Sequence, residues 1–163
     1  MKNNSIKKNS TITILILAIN LFVVNISFAQ LTSMRAFMQV EVTPMNAIPY
    51  GNNTRAGHYI KSDDAKIYYE VYGKGKPLVI LHGGVFGSTF EMGRLIDSLS
   101  KYYRVIAVST RGHGRSEMGS LPPSYEQKAK DVSAIIKAET KDSVTVLGFS
   151  DGAYTGYYLA SAF

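Results

Sequence analysis

The sequence predicts an α/β fold, in which the strands of a sheet alternate with helices. Three observations carry this prediction: short apolar runs of strand length, amphipathic stretches of helical length between them, and glycine-rich turns where the runs end. Strand–helix–strand units connect through right-handed crossovers, so we expect a mostly parallel sheet with helices on both faces. With 163 residues, 45% of them hydrophobic and 18% charged, the chain has the composition of one globular domain.

The first 29 residues have the pattern of a secretory signal peptide. Three lysines precede the apolar run 11–24, and Ser27-Phe28-Ala29 places small residues before an expected cleavage site, so the mature chain would begin at Gln30. The apolar run is shorter than the roughly 20 residues that a membrane-spanning helix needs. We therefore expect a secreted or periplasmic protein without a stable membrane anchor after cleavage.

Charge and composition exclude several classes of partner. Without the three lysines of the signal the formal charge falls from +6 to +3, and the other basic residues form no block or stripe, which argues against nucleic-acid binding. The chain has no cysteine, so neither disulfides nor a lipid-modified cysteine are expected. Its three histidines do not have metal-ligand spacing, and we expect neither metal nor cofactor.

The segment 30–56 shows no sustained periodicity and contains several proline, glycine and asparagine residues, so we expect an irregular N-terminal extension. The domain proper is expected over residues 57–163. It begins with two strands rich in isoleucine and tyrosine, His58–Lys61 and Ala65–Tyr72, whose separation by a turn-forming cluster predicts a hairpin.

Three buried strands are then predicted, and the first of them is wholly apolar, which is typical of strands buried on both faces of a parallel sheet. After the first strand, Ser88 is an expected helix N-cap with Glu91 three residues later, and apolar residues recur at helical spacing. Ser124 is expected to cap a second amphipathic helix over Tyr125–Glu139. The predicted strands are Leu78–Leu81, Arg104–Val108 and Ser143–Leu147.

The sequence Gly148-Phe-Ser-Asp-Gly152 lies between the third predicted strand and a predicted helix. A sharp strand-to-helix turn needs residues without side chains on either side of the serine, so that strand and helix can approach. The serine would then stand at the helix N-terminus, where free N–H groups favour negative charge. Ser150 is therefore a candidate nucleophile, and the N–H of Asp151 a candidate oxyanion-hole donor; the alternative is a purely structural turn.

A second glycine turn, His82-Gly83-Gly84, follows the first buried strand. The N–H of Gly84 or Val85 could supply the other donor of an oxyanion hole. His82 could be a catalytic base, but a histidine that begins a glycine turn is expected to brace the loop through hydrogen bonds.

A third turn, Arg111-Gly-His-Gly-Arg-Ser116, follows the second buried strand. A phosphate-binding loop is the rival interpretation, but Glu117 occupies the position where a dinucleotide fingerprint requires glycine. No Walker-type motif occurs in the chain. We expect His113 to have a structural role.

The order of these motifs, H-G-G, R-G-x-G-x-S and then G-x-S-x-G, each after a strand, resembles that of α/β-hydrolases over residues 57–163. The Ser150-Asp151-Gly152 form is similar to the branch with valacyclovir hydrolase-like and meta-cleavage-product hydrolases. The resemblance implies that Ser150 is the nucleophile and that the amides of Gly84 or Val85 and of Asp151 form the oxyanion hole. It also implies acyl transfer on a small-molecule ester or amide.

Two departures accompany the resemblance. The family usually has aspartate two residues before the arginine of R-G-x-G-x-S, where this chain has Ser109. Serine also needs a neighbouring base, and the family order is serine, acid, histidine, but only Asp151 and no histidine follow Ser150.

The resemblance therefore implies a fold that is truncated after the elbow helix and has little or no activity by itself. The alternatives are a non-catalytic fragment or ligand-binding pseudoenzyme, and a relative that uses the same turn for another chemistry.

Overall fold

The computed structural model describes residues 48–85 and 87–163. The expected signal peptide and residues 30–47 of the expected extension lie outside the described residues. In chain order the elements are β1 (Gly57–Ser62), β2 (Ala65–Tyr72), β3 (Lys76–Leu81), a 3₁₀ turn (Thr89–Met92), α1 (Gly93–Leu99), β4 (Tyr103–Val108), α2 (Tyr125–Glu139), β5 (Thr145–Gly148) and α3 (Asp151–Ala162). None of these described helices combines the length and hydropathy that crossing a bilayer would require.

The five described strands form one mixed sheet in the order β1-β2-β4-β3-β5. The hairpin β1–β2 is antiparallel, as is the β2–β4 pair. β3 runs parallel to both β4 and β5, with Leu81 opposite Val108 on one side and Gly148 on the other. The carboxyl ends of three parallel strands therefore meet at one edge, which is where open α/β sheets bind ligands. This sheet, with its helices, confirms the predicted α/β class.

Helices cover both faces of the sheet, and alternate residues of each central strand point to opposite faces. On one face α2 and α3 pack against the strands, and on the other α1 and the 3₁₀ turn do so. The first core comprises Val79, Leu81, Ile106 and Val108 of the strands with Ala129, Val132, Ile135 and Leu159 of the helices. The second comprises Leu78, Ile80, Val105 and Ala107 with Met92 and Ile96.

A buried carboxylate ties the irregular segment 48–56 to the sheet. Glu70, on β2, has no exposed surface. It accepts hydrogen bonds from the backbone N–H groups of Gly51 at 2.8 Å and Asn53 at 2.7 Å, and from two tyrosine hydroxyls at 2.8 Å each. Four donors satisfy the carboxylate oxygens, so its burial is tolerated without a directly bonded cation.

The helix predicted after Ser88 divides into the 3₁₀ turn and α1. Glu91 accepts a hydrogen bond from the backbone N–H of Ser88 at 2.8 Å, which is half of the predicted capping arrangement. α1 then begins at Gly93, where a β-carbon would lie only 2.8 Å from the ring of Tyr50. The aromatic ring thus packs directly on the backbone where the helix changes type.

Candidate active site

Ser150 occupies an exposed position at the sharp turn between β5 and α3. Its backbone has φ 51° and ψ −115°, a left-handed φ that costs a residue with a side chain about 1–3 kcal/mol. A β-carbon on Gly148 would lie 2.4 Å from the carbonyl oxygen of Gly152, and one on Gly152 would lie 2.5 Å from that of Leu81. Only glycine fits at either position, as the motif predicts.

The glycine loop after β3 packs against this elbow. A β-carbon on Gly83 would lie 3.2 Å from the ring of Phe149 and 3.8 Å from the β-carbon of Ser150. One on Gly84 would lie 2.9 Å from the β-carbon of Asp151. The structure therefore brings Gly84 and Asp151 together beside the serine.

Three backbone N–H groups near the serine have no hydrogen-bond partner among the residues that the structure describes. Among the backbone hydrogen bonds between described residues outside helices and strands, none has Gly84, Val85 or Asp151 as donor. Val85 has a left-handed φ of 57° and is 83% exposed. Asp151 is the first residue of α3, where N–H groups lack partners within the helix. These amides can receive an anionic oxygen without breaking an existing backbone hydrogen bond.

His82 is buried and braces the glycine loop. Its Nδ1 donates to the carbonyl oxygen of Gly83 at 2.5 Å, and its Nε2 accepts from the backbone N–H of Thr110 at 3.1 Å. Burial lowers the pKa of His82 from 6.5 to about 4, so the ring is neutral at pH 7. The predicted bracing role is confirmed by these bonds. The ring of His113 lies 5.0 Å from that of His82, and its Nδ1 is 3.2 Å from the hydroxyl of Thr110.

Arg111 is buried and bonds two carboxylates that the sequence did not pair with it. Asp131 of α2 accepts from both Nε and Nη2 at 2.9 Å, and Asp64 of the β1–β2 turn accepts from Nη1 at 2.6 Å. Ser109, where the family usually has aspartate, instead lies 3.0 Å from the hydroxyl of Thr89. The loop after β4 thus has carboxylate partners from other elements in place of the missing aspartate.

Sequence reasoning missed one ion pair at the elbow. Lys128 Nζ of α2 lies 2.7 Å from Oδ2 of Asp151, and the two side chains are only 11% and 17% exposed. Lys128 is one of 18 basic residues and lies 23 positions before its partner. Only its place in a predicted helix could have been recognised from sequence.

A groove of about 670 Å³ lies beside β5 between α2 and α3. Its lining includes Val146, Tyr157 and, at the start of the elbow, Gly148, but not Ser150, so the groove does not open at the serine. In the part of the chain that the structure describes, no cluster of three or more histidine or carboxylate side chains could hold a metal ion.

Comparisons with known proteins support the α/β fold of this chain. A sequence model described as the alpha/beta hydrolase fold matches residues 76–163, more than half of the chain. A putative carbamate hydrolase of Azorhizobium caulinodans is 31% identical over 104 residues, 64% of this chain and 39% of that protein. A soluble epoxide hydrolase of Corynebacterium sp. is 31% identical over 103 residues, 63% of this chain and 36% of that protein.

Among solved structures, Est816, an N-acyl homoserine lactone degrading enzyme, matches with a TM-score of 0.61 and 30% identity, over 64% of this chain and 40% of that one. The chain thus spans less than two fifths of the length of the two curated relatives. The region matched by the family model extends from β3 to α3 and includes both glycine turns and the elbow. The two curated relatives are named as hydrolases, and the chain belongs to the alpha/beta hydrolase fold family.

Proposed function

We propose that Ser150 is the nucleophile of an exported serine hydrolase that transfers the acyl group of a small-molecule ester or amide. The observation that carries the proposal is the exposed serine held with a left-handed φ of 51° between a strand and a helix. Strain of this kind persists only where the surroundings enforce it, and such sites are often functional. The backbone N–H groups of Gly84, Val85 and Asp151, which have no partner among the described residues, support the proposal because they are free to bind an oxyanion beside the serine.

In the proposed reaction the Oγ of Ser150 forms a bond to the carbonyl carbon of the substrate and gives up its proton to a base. The carbonyl oxygen becomes an oxyanion, which accepts hydrogen bonds from the N–H of Asp151 and of Gly84 or Val85. Collapse of this intermediate breaks the bond to the alcohol or amine, which takes up a proton as it leaves. Water then releases the acid and regenerates the serine.

The described residues offer the nucleophile and the oxyanion donors, and we assign no base among them. His82 uses both ring nitrogens in hydrogen bonds that brace the loop. No histidine follows Ser150 in the 163 residues. Removal of the base from a serine triad costs up to about a million-fold in turnover, while an oxyanion hole with binding retains about 10³–10⁴-fold over water. We therefore expect slow, stoichiometric reaction at Ser150 and no efficient turnover by these residues.

The names of two relatives support a carbonyl substrate. One is a putative carbamate hydrolase and another degrades N-acyl homoserine lactones, and both bond types contain an acyl carbon that a serine can attack. A third relative is an epoxide hydrolase, whose substrate has no acyl carbon. A serine at the elbow favours the first kind of chemistry for this chain.

A fluorophosphonate probe tests the nucleophile. The full chain would be incubated with the probe, and the modified peptide would be identified by mass spectrometry over time. We expect the label on Ser150, its loss in Ser150→Ala, and an unchanged rate in Ser161→Ala, which removes an exposed serine from the same helix.

Labelling that is equally fast in Ser150→Ala and the unsubstituted chain would refute the nucleophile. Binding of an ester analogue without any labelling would instead favour the ligand-binding pseudoenzyme.

Export is the second part of the proposal, and it is supported only by the pattern of the first 29 residues. Expression of the full chain in a Gram-negative host should yield a periplasmic product whose N-terminal residue is Gln30. Replacement of Lys2, Lys7 and Lys8 by glutamate should leave the product in the cytoplasm and uncleaved, because the positive leader is required for the signal. An unprocessed cytoplasmic product from the unsubstituted chain would refute export.

A further inference from the structure

Lys128 and Asp151 form an ion pair at the elbow that is largely shielded from solvent. The Nζ–Oδ2 distance is 2.7 Å, with side-chain exposures of 11% and 17%. The pair Lys130–Glu126 on the same helix has a similar distance of 2.9 Å but exposures of 45% and 53%. Exposed ion pairs such as Lys130–Glu126 contribute little to stability, whereas removal of one partner from a shielded pair lowers stability considerably. The ring of Tyr125, 5.3 Å from Lys128 Nζ, encloses the cation further.

The side chain of Asp151 connects this cation to the glycine loop. A β-carbon placed on Gly84 would lie 2.9 Å from the β-carbon of Asp151 and 3.1 Å from its carboxyl carbon. The aspartate therefore rests directly on the backbone of Gly84 while its carboxylate is held by Lys128. A rotation of this side chain about χ1 would move the carboxyl carbon, which lies close to the glycine loop.

The helix that carries Lys128 is itself fixed at the same end. Asp131, three residues later on α2, bonds the guanidinium of Arg111 through both carboxylate oxygens at 2.9 Å each. Both side chains are almost fully buried, with exposures of 0% for Arg111 and 2% for Asp131. Residues three apart lie on the same side of a helix. α2 thus joins the loop after β4 to the elbow after β5, and through Asp151 to the loop after β3.

We infer that Lys128 is a positioning residue, which holds Asp151 so that its N–H and that of the Gly84–Val85 turn converge on one oxyanion. Lys128 does not touch the reacting atoms and acts only through Asp151. This inference rests on the proposed function, because it assigns the amides the role of oxyanion donors. It explains why a cation from a distant part of the chain is held in a shielded position beside the elbow.

Five variants of the full chain test the inference by the rate of fluorophosphonate labelling at Ser150. Lys128→Met should lower the rate about tenfold, since misplacement of reacting groups by 1 Å costs up to about 100-fold. Lys128→Arg, which keeps a cation, should remain within about threefold of the unsubstituted chain. Lys130→Met, the matched control, should remain within about twofold. The fourth variant is Asp151→Asn, and the fifth, its combination with Lys128→Met, should be no slower than the slower of the two single variants.

A second readout does not depend on the reactivity of Ser150. The amides of Gly152 and Ala153 donate to Phe149 and Ser150 at 2.9 Å, and their hydrogen exchange reports the order of the elbow. Exchange there should be faster in Lys128→Met and unchanged in Lys130→Met.

Labelling and exchange rates in Lys128→Met that equal those of the unsubstituted chain would overturn the inference. A labelling rate in the double variant that falls by the product of the two single losses would also overturn it, as would a loss of rate in Lys128→Arg equal to that in Lys128→Met. If Ser150→Ala labels as fast as the unsubstituted chain, the proposed nucleophile has failed, and the exchange rates alone decide whether Lys128 orders the elbow.

Discussion

Gly148 and Gly156 provide a matched pair of glycine-to-alanine substitutions around the elbow. At Gly148 a β-carbon would lie 2.4 Å from the carbonyl oxygen of Gly152 and 2.6 Å from the backbone nitrogen of Ala153. At Gly156 the nearest atom, outside the backbone of its own helix, is Cγ1 of Val146 at 3.5 Å, an ordinary van der Waals distance. Neither glycine has a left-handed φ, so the space around the β-carbon is the main difference.

The expected effects have opposite signs. Overpacking costs about 1–3 kcal/mol, and we expect the upper end for Gly148→Ala because the obstructing atoms belong to the backbone and cannot rotate away. Relief of the contact would require β5 to separate from α3. Gly156→Ala should raise the free energy of unfolding by about 0.5–1 kcal/mol, because alanine is favoured over glycine in a helix interior. The two variants should therefore differ by about 4 kcal/mol.

Urea unfolding of both variants and the unsubstituted chain measures this difference. The chain contains 11 tyrosines and no tryptophan, so far-ultraviolet circular dichroism with tyrosine fluorescence is suitable. The dependence of the free energy on urea should be the same in all three, because the exposed surface on unfolding hardly changes. A Gly148→Ala variant within about 0.5 kcal/mol of the unsubstituted chain would refute the close contact between strand and helix.

Three other substitutions test buried polar groups. Burial lowers the pKa of His82 from 6.5 to about 4, so the unfolded chain binds the proton first and stability falls as the pH drops through this window. We expect this residue to lower the free energy of unfolding by about 3 kcal/mol between pH 7 and pH 4. If the free energy of unfolding measured with urea fell equally steeply with pH in His82→Gln, the prediction would be wrong. Arg111→Met should cost about 3–5 kcal/mol in urea unfolding because it leaves the buried carboxylate of Asp131 without its cation, and a cost under about 1 kcal/mol would contradict this pairing. Glu70→Gln places an amide NH₂ against groups that are themselves hydrogen-bond donors, and it should lower the free energy of unfolding by about 1–3 kcal/mol. Hydrogen exchange should become faster at the amides of Gly51 and Asn53, and unchanged exchange would contradict the role of Glu70 in holding segment 48–56 to the sheet.

Features that depend on neighbouring residues were predictable from sequence. The hairpin, the buried strands and α2 follow from periodicity and turn residues, and the structure has them where they were expected. The glycines of the elbow follow from the close approach of a strand and the helix after it. β5 is an exception, because it begins at Thr145 and not at Ser143, and because it lies at the end of the described sheet, where none of its residues is buried. The hydroxyl of Thr140 accepts a hydrogen bond from the backbone N–H of Asp142 at 3.0 Å in the turn before residues 143–144, which lie outside the strand.

Features that depend on residues far apart in the chain could not be predicted from the sequence. The position of β4 between β2 and β3 is set by pairing across the sheet, which periodicity does not report. The partners of Arg111 lie 20 and 47 positions away. Asp131 and Asp64 carry no signal that separates them from the other acidic residues of the chain. The sequence shows that Ser109 stands where the family usually has aspartate, but only the structure shows which carboxylates bond to Arg111.

The strained backbone at Ser150 has a consequence for where stability must come from. A left-handed φ at a serine costs about 1–3 kcal/mol, and it persists only if the strand before it and the helix after it are each held firmly. β5 pairs with β3 over four residues, and α3 lies against α2 through Leu159 and the Lys128–Asp151 pair. Loosening either element would let the serine relax to an ordinary conformation before the sheet unfolds. We therefore expect substitutions in α2 and β5 to reduce reactivity at Ser150 before they reduce secondary structure, and a parallel loss of labelling and circular dichroism across such variants would contradict this view.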